Sequence, residues 1–260
     1  MMGAAAPRAE VDWVGAAASE ASPAADARAL RLLARLAHFI AFPIGRAHES
    51  YCDAPPLAGA TLLGLAQQPA FRRPMNRIVA RNAGLDRLDL DPAMFRRLAV
   101  SPQTRLCVLL VVSDAQELRR AAAYVAAAIT HRKAVALLAR EERAKLLAAL
   151  DEDAFSLAIR EAPLQYQALA ELNDAGEIDR AVDMRQTPDA LRHALEALGR
   201  RAIEGFVEFC EPGLSPLLER RLRAGSEDAS PGASRFQRVH VGPFMRLMRR
   251  RFQQWETIIG

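Results

Sequence analysis

The stretch from Ser113 to Pro163 restricts what this chain can fold into more than any other part of it. It opens on Ser113-Asp114-Ala115-Gln116, runs through an Ala/Leu-rich segment to Asp151-Glu152-Asp153, and continues to Pro163. Leu118, Tyr124, Val125 and Ile129 recur at helical spacing, with Ala121, Ala122, Ala126 and Ala128 between them. Such a face is apolar and thin enough for a second helix to approach closely. Ser113 and Gln116 have the spacing of a capping box at its start. A second run carries Leu138, Leu146, Leu147 and Leu150, with Arg140, Glu141, Glu142, Arg143 and Lys145 on the other side. Asp151 is placed to cap a third helix, whose short stripe is Phe155, Ala158 and Ile159 and which Pro163 should stop. Three antiparallel helices of this kind bury one continuous core, and none of their residues forms a reactive centre.

The remaining chain extends the same pattern. Alanine and leucine supply most of the apolar content, and β-branched residues are few, so propensity favours helix over strand. Ser22-Pro23, Ser101-Pro102, Thr187-Pro188 and Ser215-Pro216 pair a cap residue with a proline suited to a first helical turn. The clearest helix follows Thr187, with Leu191, Leu195, Leu198, Ala202, Phe206 and Phe209 on one face, while Gly199 and Gly205 either weaken it slightly or permit the close approach of a neighbour. Shorter helices are expected from Leu57 to Leu65, from Arg73-Pro74 up to Gly84, and after Asp91-Pro92. The run Leu106 to Val112 is compatible with a buried strand or helix, and the Ser101-Pro102 start favours helix. The fold class expected is all-α: a single irregular multi-helix domain with a flexible N-terminal tail. Its divisions are a disordered tail over 1–25, a helical core over 26–224, a linker over 225–234 and a C-terminal amphipathic helix over 235–260. A chain of 260 residues buries about 70–75% of its unfolded surface and needs no staples.

Cys52, Cys107 and Cys210 are widely spaced, with no metal or redox motif among them, which fits a reduced intracellular protein. There is no signal-peptide pattern, and the longest apolar run is far short of the roughly 20 residues that span a bilayer. The expected location is therefore cytoplasmic, without direct membrane insertion. The net charge of +4 rests on 33 arginines against Lys133 and Lys145. That imbalance reads as coding bias rather than a phosphate-binding surface, and no nucleic-acid partner is expected.

The catalytic inventory is thin. Phosphate-loop, dinucleotide, zincin and nucleophile-elbow patterns are absent. His48-Glu49 reads as a surface pair rather than an acid/base dyad. Asp86, Asp89 and Asp91 alternate with Leu85, Leu88 and Leu90, and read as packing with a cap at Asp91 rather than as a metal site. No enzyme, cofactor or metal is predicted. The candidate partner-binding residues lie on the last helix: Phe244, Leu247, Met248, Phe252 and Trp255 on its apolar face, with Arg249, Arg250 and Arg251 beside them. This helix docks on the core or on a partner; the alternative is a basic amphipathic helix for a membrane surface or RNA.

Three segments carry a resemblance. His38-Phe39-Ile40-Ala41-Phe42-Pro43, followed by His48-Glu49-Ser50-Tyr51, resembles the N-terminal signature of the SctK family (YscK, PscK, MxiK or OrgA-like), accessory proteins of bacterial type III secretion systems. Arg140 to Pro163, with Leu146-Leu147, Asp153-Ala154-Phe155 and Ala158-Ile159-Arg160, resembles that family's central helix pair. Phe206 to Leu222, with Pro212, Leu217-Leu218 and Arg220-Arg221-Leu222, resembles its C-terminal region. The resemblance implies a non-enzymatic cytoplasmic scaffold of the sorting platform beneath the injectisome, peripheral at the cytoplasmic face of the inner membrane. Its implied partners are the cytoplasmic domain of the inner-membrane ring protein and the pod protein, and it implies a role in protein transport and virulence. On that reading exposed apolar patches are expected near the N-terminal loop and the C-terminal helix.

Overall fold

The structure, a computed structural model, describes residues 23–44, 52, 58–85, 91, 93–222 and 235–260. Among these residues all regular structure is helical, in one compact domain. In chain order the helices are α1 (Pro23–Ala41), α2 (Gly59–Gln67), α3 (Pro69–Asn82), α4 (Ala93–Val100), α5 (Pro102–Val112), α6 (Ala115–Ala136) and α7 (Arg140–Leu150). They continue with α8 (Glu152–Ser156), α9 (Ala162–Gln165), α10 (Ala175–Ala181), α11 (Pro188–Cys210), α12 (Ser215–Leu222), α13 (Arg238–Arg251) and α14 (Gln253–Ile259). Residues 1–22 and 223–234, which hold most of the expected tail and all of the expected linker, lie outside the described residues. None of the described helices is long and apolar enough to cross a membrane.

The centre of the molecule is the pair α6 and α11. Their approach is set by Gly199 on α11: a Cβ there would stand 1.9 Å from the carbonyl oxygen of Ala122 on α6. The alanines of α6 do the same from the other side, with Ala121, Ala122 and Ala126 fully buried. Small residues on both faces bring the backbones together, and that contact is the spine on which the other helices pack. α5 is the innermost helix, buried from Thr104 through Val112 and contacted by α1, α4, α11, α12 and α14. Being covered on all sides explains why its run 106–112 shows no amphipathic period. It is a helix because Ser101 Oγ accepts the Thr104 N–H at 3.2 Å and Pro102 occupies the first turn.

Several expected boundaries shift, each for a local reason. The capping box of α6 is Asp114 with Glu117, not Ser113 with Gln116. Ser113 is buried and its hydroxyl donates to the Leu110 carbonyl at 3.0 Å, closing α5, so the next residue caps α6. Pro163 does not stop its helix. A π-helical turn over Leu157–Glu161, in which the Ala162 N–H donates to the Leu157 carbonyl, resets the register and leaves Pro163 in the first turn of α9. There its missing N–H is not needed. Pro74 likewise lies inside α3 rather than at its start. Asp151 caps α8 through Ala154 N–H at 2.9 Å with φ of 71° and ψ of 169°, a strained backbone that residues other than glycine rarely adopt.

The segment 235–260 is not a separate unit. Phe236, Phe244, Leu247, Met248, Phe252, Trp255 and Ile259 belong to the same core as α5, α6 and α11. A face this wide and aromatic is covered where the chain itself can cover it. A smaller satellite core, Cys52, Leu62, Ala66, Met75 and Val79, joins α2 to α3.

Candidate functional site

The residues proposed from sequence on the last helix separate into two groups. Phe244, Leu247 and Met248 are fully buried, Phe252 and Trp255 nearly so. Phe244 stacks on Phe206 of α11 at 4.3 Å, and Phe252 stacks on Trp255 at 4.2 Å while meeting Tyr124 of α6 edge-on at 5.9 Å. Docking of this helix on the core, the first of the two readings of its apolar face, is what the structure shows; an exposed apolar patch there is not. The arginines are engaged as well. Arg251 pairs with Glu161 on the π-turn and lies over the Tyr124 ring at 5.4 Å. Arg250 donates to Gln165 at 2.8 Å and stands 3.4 Å from Glu161. Arg249 is half-buried. The helix needs one buried face and keeps two of its three terminal arginines for α9 and the π-turn before it.

The end of α14 is also held from within. Arg105, buried on α5, donates to the Ile259 carbonyl through Nε at 3.0 Å and Nη2 at 2.7 Å, and to Leu98 and Ala99 carbonyls at 3.0 Å each. Burial, then the nearby Arg28 and Arg249, lower its pKa. Four carbonyl contacts compensate its desolvation and tie α4, α5 and α14 together.

A second buried polar centre sits where α11 ends. Glu211 accepts both arms of Arg97, Nε at 2.9 Å and Nη2 at 3.0 Å, and the Thr104 hydroxyl at 2.7 Å. Every oxygen of the carboxylate is satisfied, which makes it a brace between α4, α5 and α11. Beside it the thiols of Cys107 and Cys210 are hydrogen-bonded to one another, and burial pushes the Cys107 thiol well up. Cys210 stands at the C-terminal end of α11, where the Cys107 thiol lowers its pKa against the opposing effects of burial and Glu211. On α11, burial with help from Glu219 pushes the Glu204 carboxyl up to about 7. His240 caps α13 by accepting the Gln237 N–H on Nδ1 at 2.9 Å, and burial lowers its pKa. These groups lie at different places in the core, and no three His, Cys, Asp or Glu converge on a metal-sized point among the described residues.

Of the other residues singled out from sequence, His48, Glu49, Asp86 and Asp89 lie outside the described residues. Asp91 takes the capping role: Oδ1 accepts the Ala93 N–H at 2.8 Å and Oδ2 meets Arg97 at 3.0 Å.

Near the N-terminal loop, where an exposed apolar patch is expected, the structure has a surface feature whose basic character the sequence reading did not single out. A groove of about 450 Å³ opens between the last turn of α1 and the start of α3, lined by His38, Phe42, Pro69, Ala70, Arg72 and Arg73 among others. Its floor ring, Phe42, packs against His38 at 5.1 Å and lies under the Arg72 guanidinium at 5.6 Å. Asn76 ties the two elements: its Oδ1 accepts the Ile44 N–H at 3.0 Å while its Nδ2 donates to the Arg72 carbonyl at 2.8 Å. The signal in the sequence was the charge pattern. Residues 27–44 and 58–85 contain seven arginines and no Asp or Glu. Comparison with protein-family models, with curated proteins and with solved structures finds no match for this chain.

Proposed function

We propose that this chain is a non-enzymatic helical adaptor of a bacterial type III secretion system, linking the inner-membrane ring protein to the pod protein of the sorting platform from the cytoplasmic side. The segments that resemble the SctK family carry the assignment. One observation supports an adaptor role in particular. Among the described residues, Glu211 and Arg105 act as buried braces between helices, whereas a run of exposed arginines lines the outer face around the α1/α3 groove. A molecule built this way offers surfaces to other proteins.

The alternative, binding of RNA or a membrane surface through the C-terminal arginines, draws no support from the geometry, since Arg250 and Arg251 are paired and their aromatic neighbours are buried. The test is affinity purification of the tagged chain from its native cells at low and high salt, with bound proteins identified by mass spectrometry. Ring and pod components should be recovered at both salts. Recovery of only RNA or lipid, lost at high salt, overturns the assignment.

A further inference from the structure

The charge of this molecule is polarised. The seven arginines of residues 27–44 and 58–85, with no carboxylate among them, leave every other residue of the chain together at −3 against a total of +4. Elsewhere several basic residues pair with carboxylates: Arg97 with Asp91 and Glu211, Lys133 with Asp179, Arg200 with Glu196, Arg235 with Asp174, Arg251 with Glu161. Coding bias accounts for arginine in place of lysine, but not for the scarcity of acids over residues 27–85, where eight arginines face only Glu49 and Asp53.

The arginines are also ordered. On α3, Arg73, Arg77 and Arg81 are exposed and follow one another at four-residue steps, each a rise of about 6 Å along the helix. On α1, Arg31, Arg35 and His38 are exposed and share a face at i, i+4 and i+7. The two stripes meet at the groove, where His38 stands opposite Arg72 and Arg73. Among the described residues, Arg31, Arg35, Arg73, Arg77 and Arg81 meet no carboxylate. Between the stripes the groove presents the apolar surface of Phe42, Pro69 and Ala70, and Phe71 stands 44% exposed on the same turn of α3.

We propose that the α1/α3 face is the docking surface for an acidic amphipathic helix of a partner protein. Carboxylates four residues apart on such a helix repeat at the spacing of the arginine stripe, and arginine accepts each in a two-pronged pair. The groove takes one apolar side chain from the same helix, which sets the register that charge alone leaves loose. A single-stranded nucleic acid fits less well, because its bases stack on successive aromatic rings and the groove offers the single ring of Phe42, already packed against Arg72 and His38. That the ligand is a protein rests on the adaptor reading; the chemistry of the face does not.

The test uses the full chain and a labelled peptide helix with Glu at four-residue spacing and one Phe on the adjoining face, followed by fluorescence anisotropy at low and high salt. The R73E/R77E/R81E variant should bind about tenfold more weakly or worse, and the parent's affinity should fall as salt rises. All three positions are exposed, so circular dichroism and the unfolding midpoint should match the parent. Unchanged peptide binding by the variant overturns the proposal. So does tighter binding of the parent to a short oligothymidylate or to phosphatidylserine vesicles than to the peptide. Ring and pod proteins recovered equally by parent and variant would leave the adaptor standing and place its contacts elsewhere. Peptide binding without any secretion component in the purification would separate the two readings the other way.

Discussion

Glu204 shows how one residue's surroundings reach the stability of the whole chain. It sits half-buried on α11 with its carboxyl up to about 7, against 4.5 for a free group. The folded chain therefore holds this proton more tightly than the unfolded chain does. The benefit of the neutral form is complete below pH 4.5, declines as pH rises from 4.5 to about 7, and is gone above that range, where the desolvated carboxylate is a constant cost. Glu204→Gln keeps the shape and removes the charge. It should be more stable than the parent by about 2 kcal/mol near pH 8 and indistinguishable from it near pH 4, as read by urea unfolding at the two pH values. Equal stability at both would show that the carboxylate keeps its hydration. Caps at this scale were legible beforehand: Ser101, Asp151 and Thr187 each accept an N–H from the first turn of the helix that follows. The partners of Glu211 and Arg105 were not, since Thr104 lies 107 residues from Glu211 and Ile259 lies 154 residues from Arg105.

At the scale of elements, the α6/α11 crossing is the contact most sensitive to a single methyl group. Gly199→Ala sets a Cβ against the backbone of Ala122, which has no rotamer to yield. The helices must separate, at a cost of about 3 kcal/mol or more. Gly64→Ala in α2 is the control, because its Cβ meets open space; there the gain in helix propensity should stabilise by up to about 1 kcal/mol. Opposite signs in thermal unfolding would establish that Gly199 serves close approach rather than flexibility. A fall of similar size at both positions would contradict that. The sequence indicated these elements well and their ends less well. A proline marks a helix start only when the preceding turn lacks other support, and Gln68-Pro69 and the π-turn supplied starts that the motifs at Pro74 and Pro163 obscured.

At the scale of the molecule, most of the described helices share one core. Because Trp255 and Phe252 join the core built by α5, α6 and α11, the C-terminal segment should not melt ahead of the rest. In a Trp13→Phe chain Trp255 is the only tryptophan left, and its fluorescence should follow the same denaturant transition as the helical signal. Two separated transitions would restore the C-terminal helix as an independent arm. Helix as the sole regular structure of the described residues, and the presence of most of their helices, were determined by the sequence alone. Composition, caps and apolar spacing act within a turn or two of the residues concerned, so they can be read in order along the chain. Which apolar faces are covered, and which charges remain free, was decided only by the tertiary structure. The aromatic face at Phe244 to Trp255 looked available until Phe206 and Tyr124 closed on it. The arginines at its end looked free until Glu161, 90 residues from Arg251, met them. Arg31, Arg35, Arg73, Arg77 and Arg81 on α1 and α3, which meet no carboxylate among the described residues, stayed exposed. Burial and ion pairing depend on distance in space, which the order of residues does not reveal.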